Sequence, residues 1–242
     1  MKPWHYEPAA DLDQPLVERL RRFPREPDMS VYALRSLFAL LLRGWLCLYH
    51  RLEIVGSEHL PAEGSFILIA NHSSHLDALC LLSILPLRKL HRAFPAAAQD
   101  YFFVNVPRLA LATVIVNALP FGRQTKVHQS LELCRQLLAN SGNILILFPE
   151  GTRTVTGQTG AFKPGIGLLV AGTTIPVIPC HLTGAFEAWP RNQALPRPRR
   201  LRLRIGQGRT FATLTPDREG ALRVAEDLWQ AVRNLAASPA GC

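Results

Sequence analysis

The chain has 242 residues, 48% hydrophobic and 19% charged, with 16 glycines and 19 prolines, which suits one globular domain with a real core and excludes disorder for its bulk. Lysine plus arginine outnumber the acids by 27 to 18, a formal charge of +9, so an acidic partner is expected: nucleic acid, an anionic membrane or a phosphorylated substrate. The five cysteines are odd in number and widely spread with no CxxC pair, which argues against a disulfide framework or a zinc ribbon and fits a reducing compartment.

Residues 1–29 hold five prolines and mix acids with prolines where a secretory signal would have an apolar run, so they read as a loosely ordered lead-in with no cleaved targeting peptide. The stretch 31–49, VYALRSLFALLLRGWLCLY, has about the length needed to cross a bilayer core, but Arg35 and Arg43 interrupt it. A helix lying in the membrane interface is the expectation, with Trp45 and Tyr49 among headgroups and the arginine stems reaching water. A buried core helix with two exposed arginines is the alternative, and a full span is the third reading. The uncharged run 164–186 is not read as a span, because its glycines and prolines punctuate it into a short helix followed by a strand.

From residue 51 the pattern alternates short apolar runs with amphipathic stretches, the signature of an α/β domain. Strands are expected at LEIVG, at SFILIA, around 90–94, at NILILF and at PVIPCHL; helices are expected near 77–85, 126–139 and 217–236. Near the end, Leu201, Leu203 and Ile205 alternate with Arg200, Arg202 and Arg204, as in a strand with one buried and one basic face. The whole segment 191–209 carries seven arginines and no acid, which suits anionic headgroups or an acidic carrier protein. Nucleic acid is disfavoured, since neither a base-reading helix nor stacking aromatics accompany these arginines.

Three polar runs carry the candidate chemistry. Asn71-His72-Ser73-Ser74-His75-Leu76-Asp77 follows the strand SFILIA; a turn there would let His72 act as a general base oriented by Asp77, with His75 a turn or helix-start residue. Phe148-Pro149-Glu150-Gly151-Thr152-Arg153 follows the strand NILILF. If the two strands are parallel, both turns meet at the ligand edge of an open α/β sheet. There Gly151 permits close backbone approach, Arg153 offers a planar cation for a phosphate, and Glu150 can orient a hydroxyl or a basic side chain. The third run, Phe121-Gly122-Arg123-Gln124-Thr125-Lys126, puts two cations at the start of a helix. No metal-ligand cluster and no cysteine nucleophile is indicated.

NHSSHLD resembles the NHxSxxD block of the glycerolipid acyltransferases, the lysophosphatidic acid acyltransferase family, and FPEGTR resembles that family's second hallmark, in the same order and separation. IPVIPCHLTG resembles the proline-containing strand that follows in family members, so the likeness covers residues 50–206. It implies a single α/β acyltransferase domain with a mixed, largely parallel sheet, occupying 51–242 behind a lead-in and membrane-associated helix at 1–50. It further implies acyl transfer from acyl-CoA or acyl-carrier protein, as co-substrate rather than cofactor, to the hydroxyl of a lysophospholipid, first of all 1-acyl-glycerol-3-phosphate. By the same resemblance His72 is the catalytic base, Asp77 its partner, and Glu150, Gly151 and Arg153 acceptor-site residues. Arg123 corresponds to an arginine of the family's intermediate motif, although Gly122 stands where an acidic residue is frequent. Another acceptor such as a lyso-ornithine lipid, or a non-catalytic membrane-bound interaction protein, is the alternative. The expected location is the cytoplasmic face of the cell membrane, as a peripheral or monotopic protein on an anionic surface.

Overall fold

The computed structural model describes residues 29–98, 115–121 and 127–237. Among them seven strands form one sheet in the order β1-β7-β6-β2-β5-β3-β4. The strands are β1 (Glu53–Val55), β2 (Phe66–Ala70), β3 (Ala93–Ala98), β4 (Leu119–Phe121), β5 (Ile144–Leu147), β6 (Val177–Thr183) and β7 (Arg202–Ile205). Every neighbouring pair is parallel except β6 with β7, so the sheet is mixed and largely parallel, as the motifs implied.

The helices are α1 (Met29–Leu48), α2 (Leu76–Ser83), α3 (Val127–Ala139), α4 (Gly165–Val170), α5 (Ala185–Ala188) and α6 (Arg218–Ala237). They cover both faces of the sheet, which is why β2 and β5 read as unbroken apolar runs instead of alternating ones. One core joins Phe66, Leu68, Ile144 and Ile146 to α1 and α2 through Leu42, Leu46, Leu76 and Leu81. The other joins Ile67, Ile69 and Leu145 to α3, α4 and α6 through Leu131, Leu138, Ile166, Leu169 and Leu228. Successive strand residues thus serve opposite layers, the period of two that any strand imposes. In β7 the alternation separates buried Leu203 and Ile205 from Arg202, which pairs with Glu53 at 2.7 Å on the neighbouring β1.

Two expectations are corrected. The strand expected around 90–94 is preceded by a tight 3-10 stretch, Leu87–Arg92, and pairing begins only at Ala93. Pro86 opens that stretch, where its fixed φ suits a turn, and its carbonyl accepts the amide of Lys89. The second correction concerns α1, whose arginines turn inward. Arg35 is buried, and Arg43 donates to the carbonyls of Ser83 (2.9 Å) and Leu85 at the end of α2. Helix ends leave carbonyls without intrahelical partners, and a guanidinium fork satisfies two of them. The outer side of α1 is correspondingly apolar: Leu34, Leu37, Leu40, Leu41 and Leu48 are exposed. The helix is long and apolar enough to cross a bilayer by length and composition.

Candidate active site

Because β2 and β5 are parallel neighbours, with Ile69 opposite Leu147, the two motifs leave adjacent strand ends on the same edge of the sheet. The first begins with Asn71, whose side chain continues the ladder beyond the strand: Nδ2 donates to the carbonyl of Leu182 (3.0 Å) and Oδ1 accepts its amide (2.8 Å). This clamp on β6 sets where the turn starts. A buried asparagine directly after an all-apolar strand was the signal for it in the sequence.

The turn then wraps around one carboxylate. Asp77, the second residue of α2, is fully buried, and its Oδ2 accepts from the amides of Ser73 (2.6 Å) and Ser74 (2.8 Å) and from His72 Nδ1 (2.8 Å). Residues five apart therefore meet because the backbone folds back onto the helix start. Ser74 Oγ donates to the carbonyl of Trp189 at 2.7 Å, tying this turn to the end of α5. With Nδ1–H assigned as the donor to Asp77, Nε2 carries the imidazole lone pair. His72 Nε2 makes no hydrogen bond to any described residue, and the ring retains 16% exposure. Its flat face stacks on Phe148, with centroids 4.1 Å apart and planes 15° from parallel.

Glu150 holds the second motif to the first. Oε1 accepts the amide of His72 at 2.7 Å and Oε2 the amide of Gly160 at 2.9 Å, while the carbonyl of His72 accepts the amide of Thr154 at 2.8 Å. Burial pushes the Glu150 carboxyl above its ordinary value, and the two amides pull it back. Glu150, expected from the sequence to orient a hydroxyl or a basic side chain, instead directs both oxygens at backbone amides. Arg153 reaches the first motif, where Nη1 lies 2.7 and 2.8 Å from the two ring nitrogens of His75. Burial, then the Arg153 charge, depress the His75 pKa, so this imidazole is neutral and offers a lone pair to the guanidinium. Gly151 sits at φ 76°, a left-handed conformation, and the side chain of Lys163 crosses the space where a Cβ would be, with Nζ 2.8 Å from that point. Nothing in FKPG marks Lys163, an exposed lysine, as one whose side chain reaches the site. Arg123 lies outside the described residues.

Beside His72 a cavity of about 330 Å³ opens between the sheet and helices α3 and α4. Leu131, Cys134, Leu147, Ile166, Leu168 and Leu169 make its interior apolar, and His72, Gly151 and Lys163 stand among its lining. An imidazole whose Nε2 has no partner among the described residues thus stands beside a pocket suited to a hydrocarbon chain.

An α/β sheet that brings a His–Asp pair and a Glu-Gly-Thr-Arg turn to one edge defines an acyltransferase domain; the profile of the family described as Acyltransferase matches residues 51–183, and the chain belongs to that family. It is similar to the mouse protein named 1-acyl-sn-glycerol-3-phosphate acyltransferase alpha, at 27% identity over 80% of this chain and 67% of the relative. It is also similar to the chloroplastic 1-acyl-sn-glycerol-3-phosphate acyltransferase LPAT1 of Arabidopsis thaliana, at 30% identity over 59% of this chain. The chain spans 38% of that plant protein and 40% of its Brassica napus counterpart BAT2. The crystal structure of the 1-acyl-sn-glycerophosphate (LPA) acyltransferase PlsC of Thermotoga maritima superposes with a TM-score of 0.63, covering 89% of this chain and 85% of that one; at 22% identity the likeness is one of fold.

Proposed function

We propose that the protein transfers a fatty acyl group from a thioester donor, acyl-CoA or acyl-carrier protein, to the free hydroxyl of 1-acyl-glycerol-3-phosphate, giving phosphatidic acid. The observation that carries this reading is the 2.8 Å contact between His72 Nδ1 and the buried Asp77, which leaves Nε2 open beside an apolar cavity.

The acyl chain occupies the cavity and the thioester carbon stands at its mouth. The acceptor hydroxyl donates its proton to His72 Nε2 as its oxygen attacks that carbon, and Asp77 stabilises the imidazolium that results. When the tetrahedral intermediate collapses, the carbon–sulfur bond breaks and the thiolate leaves, taking the proton from Nε2. A thiol of ordinary pKa about 8.5 is a good leaving group, so no covalent acyl-enzyme and no second acid are needed. Asp77 cannot turn away, because two backbone amides hold it as firmly as His72 does.

The same reading places the protein on the cytoplasmic face of a membrane. The exposed leucines of α1 supply apolar contact, and Tyr49, whose hydroxyl donates to the carbonyl of Pro196 at 3.1 Å, ties that helix to the arginine-rich segment. Arg199 and Arg200 are exposed there and suit anionic headgroups.

The test is transfer to a panel of lysolipids, 1-acyl-glycerol-3-phosphate and lyso-ornithine lipid included, with each donor in turn. His72→Ala should lower turnover at least a hundredfold with an unchanged melting curve, since a general base contributes about 10²-fold or more. Asp77→Asn should be as severely impaired. Near-normal transfer by folded His72→Ala would overturn the mechanism.

A further inference from the structure

Lys163 occupies a position that the reaction as derived so far leaves unused. Its side chain is exposed to solvent, passes over Gly151 and lines the same cavity as His72, so it stands on the open side of that cavity. Its ammonium makes no hydrogen bond or ion pair with any described residue. The side chain fills the space that the glycine leaves open: a Cβ at position 151 would lie 2.8 Å from Nζ and 3.1 Å from Cε. The second motif therefore carries a cation over its own turn.

The charge balance gives that cation a use. Asp77 and Glu150 bring two buried carboxylates to the site, and each accepts backbone amides as a carboxylate does. Arg153 supplies one positive charge and is already engaged with His75. A phosphate monoester adds a further charge of about −1.5 to −2 near pH 7. One guanidinium does not balance that sum in a half-enclosed site, where unpaired charge is expensive. A second cation, that of Lys163 over Gly151, lessens the excess. Reach also favours the acceptor over the donor, because two bonds separate the reacting carbon of 1-acyl-glycerol-3-phosphate from its phosphate ester oxygen, whereas the phosphates of a pantetheine thioester lie a whole pantetheine arm from the sulfur.

We infer that Lys163 is a specificity-determining residue for the acceptor, gripping its phosphate monoester together with Arg153 and so favouring a dianionic headgroup over a neutral one. This rests on the acceptor reading given above. Lysine suits the task as a mobile point charge with three donors that follows the phosphate as the ester forms, while the planar fork of Arg153 fixes orientation.

The test compares wild type, Lys163→Gln and Lys163→Arg of the full chain, with 1-oleoyl-glycerol-3-phosphate and 1-oleoylglycerol as acceptors, the same acyl thioester, and inorganic phosphate as competitor. Lys163→Gln should raise KM for the phosphate acceptor about tenfold or more, as loss of one charge-assisted contact does, with kcat and the donor KM within about twofold. Inhibition by inorganic phosphate should weaken in parallel, Lys163→Arg should recover much of both, and the melting temperature should not move. A Lys163→Gln variant with an unchanged acceptor KM, or with the rise in the donor KM instead, would overturn the inference while leaving the acceptor reading standing. A wild-type protein that acylates only phosphate-free lysolipids would overturn both.

Discussion

The amide of His72 donates to Glu150 Oε1 at 2.7 Å, across 78 positions of chain, so the second motif fixes the backbone on which His72 sits. Glu150→Gln replaces two acceptor oxygens by one oxygen and an NH2 group, which leaves the amide of either His72 or Gly160 facing a donor. A buried amide without its partner costs about 1–3 kcal/mol. The variant should melt several degrees lower and lose kcat with every acceptor alike. A loss confined to the KM of one acceptor at an unchanged melting temperature would instead assign Glu150 to substrate binding.

Gly167 of α4 tests how tightly the wall of the cavity is packed. A Cβ there would lie 2.1 Å from the carbonyl oxygen of Ala221 and 2.5 Å from its Cα, so α4 and α6 touch backbone to backbone. Gly167→Ala must push the helices apart, an overpacking that costs about 1–3 kcal/mol or more. At Gly165, two residues earlier, an added Cβ meets nothing within 4 Å. Thermal melts should show a marked loss for Gly167→Ala and almost none for Gly165→Ala; equal effects would refute the close approach.

The inverted face of α1 separates membrane contact from folding. Leu37 and Leu41 are 55% and 65% exposed, whereas Leu42 and Leu46 belong to the core. Leu37→Glu with Leu41→Glu should therefore keep the melting temperature within a few degrees and abolish flotation with anionic liposomes. Removal of residues 1–50 should yield an aggregating protein, because it strips Ala39, Leu42 and Leu46 from the core that α2 also covers. Undiminished flotation of the double variant would place the membrane contact elsewhere.

Acidification should destabilise the fold well above the carboxylate range. Burial, assisted by Arg204 across the β6–β7 pair, lowers His181 from 6.5 to about 4. His75, His50 and His91 are lowered too, each chiefly by burial. Between those values the unfolded chain binds protons that the folded chain does not, so stability falls as pH drops from about 6.5 towards 4. The raised carboxyl of Glu150 acts oppositely, since its folded form binds protons more readily, and offsets part of the loss. Melting curves from pH 7.5 to 4.5 should show a falling midpoint, with a shallower slope for His181→Gln. A midpoint that rises on acidification would contradict the burial of these imidazoles.

The α/β class, the buried central strands and the two polar turns were legible in the sequence, because strand burial and helix amphipathicity are periodic properties of neighbouring residues. So was the meeting of His72 with Asp77 as a possibility, since a serine-rich turn before a helix can fold back on its own aspartate. Only the tertiary structure decided which way side chains face when two elements offer competing partners. Arg43 turns towards the domain because Ser83 and Leu85 leave carbonyls open at the end of α2, forty positions away, and Arg35 is buried on the same helix. Glu150 is held by amides, including that of His72, that reach it only when β2 and β5 pair. Lys163, itself exposed, lies over Gly151 beside the cavity, a meeting of the segment FKPG with the second motif that the letters do not carry. Local pattern reports what each segment can bury; hydrogen bonds and charges are satisfied across the sheet, by residues far apart in the chain, and that pairing exists only once the layers have assembled.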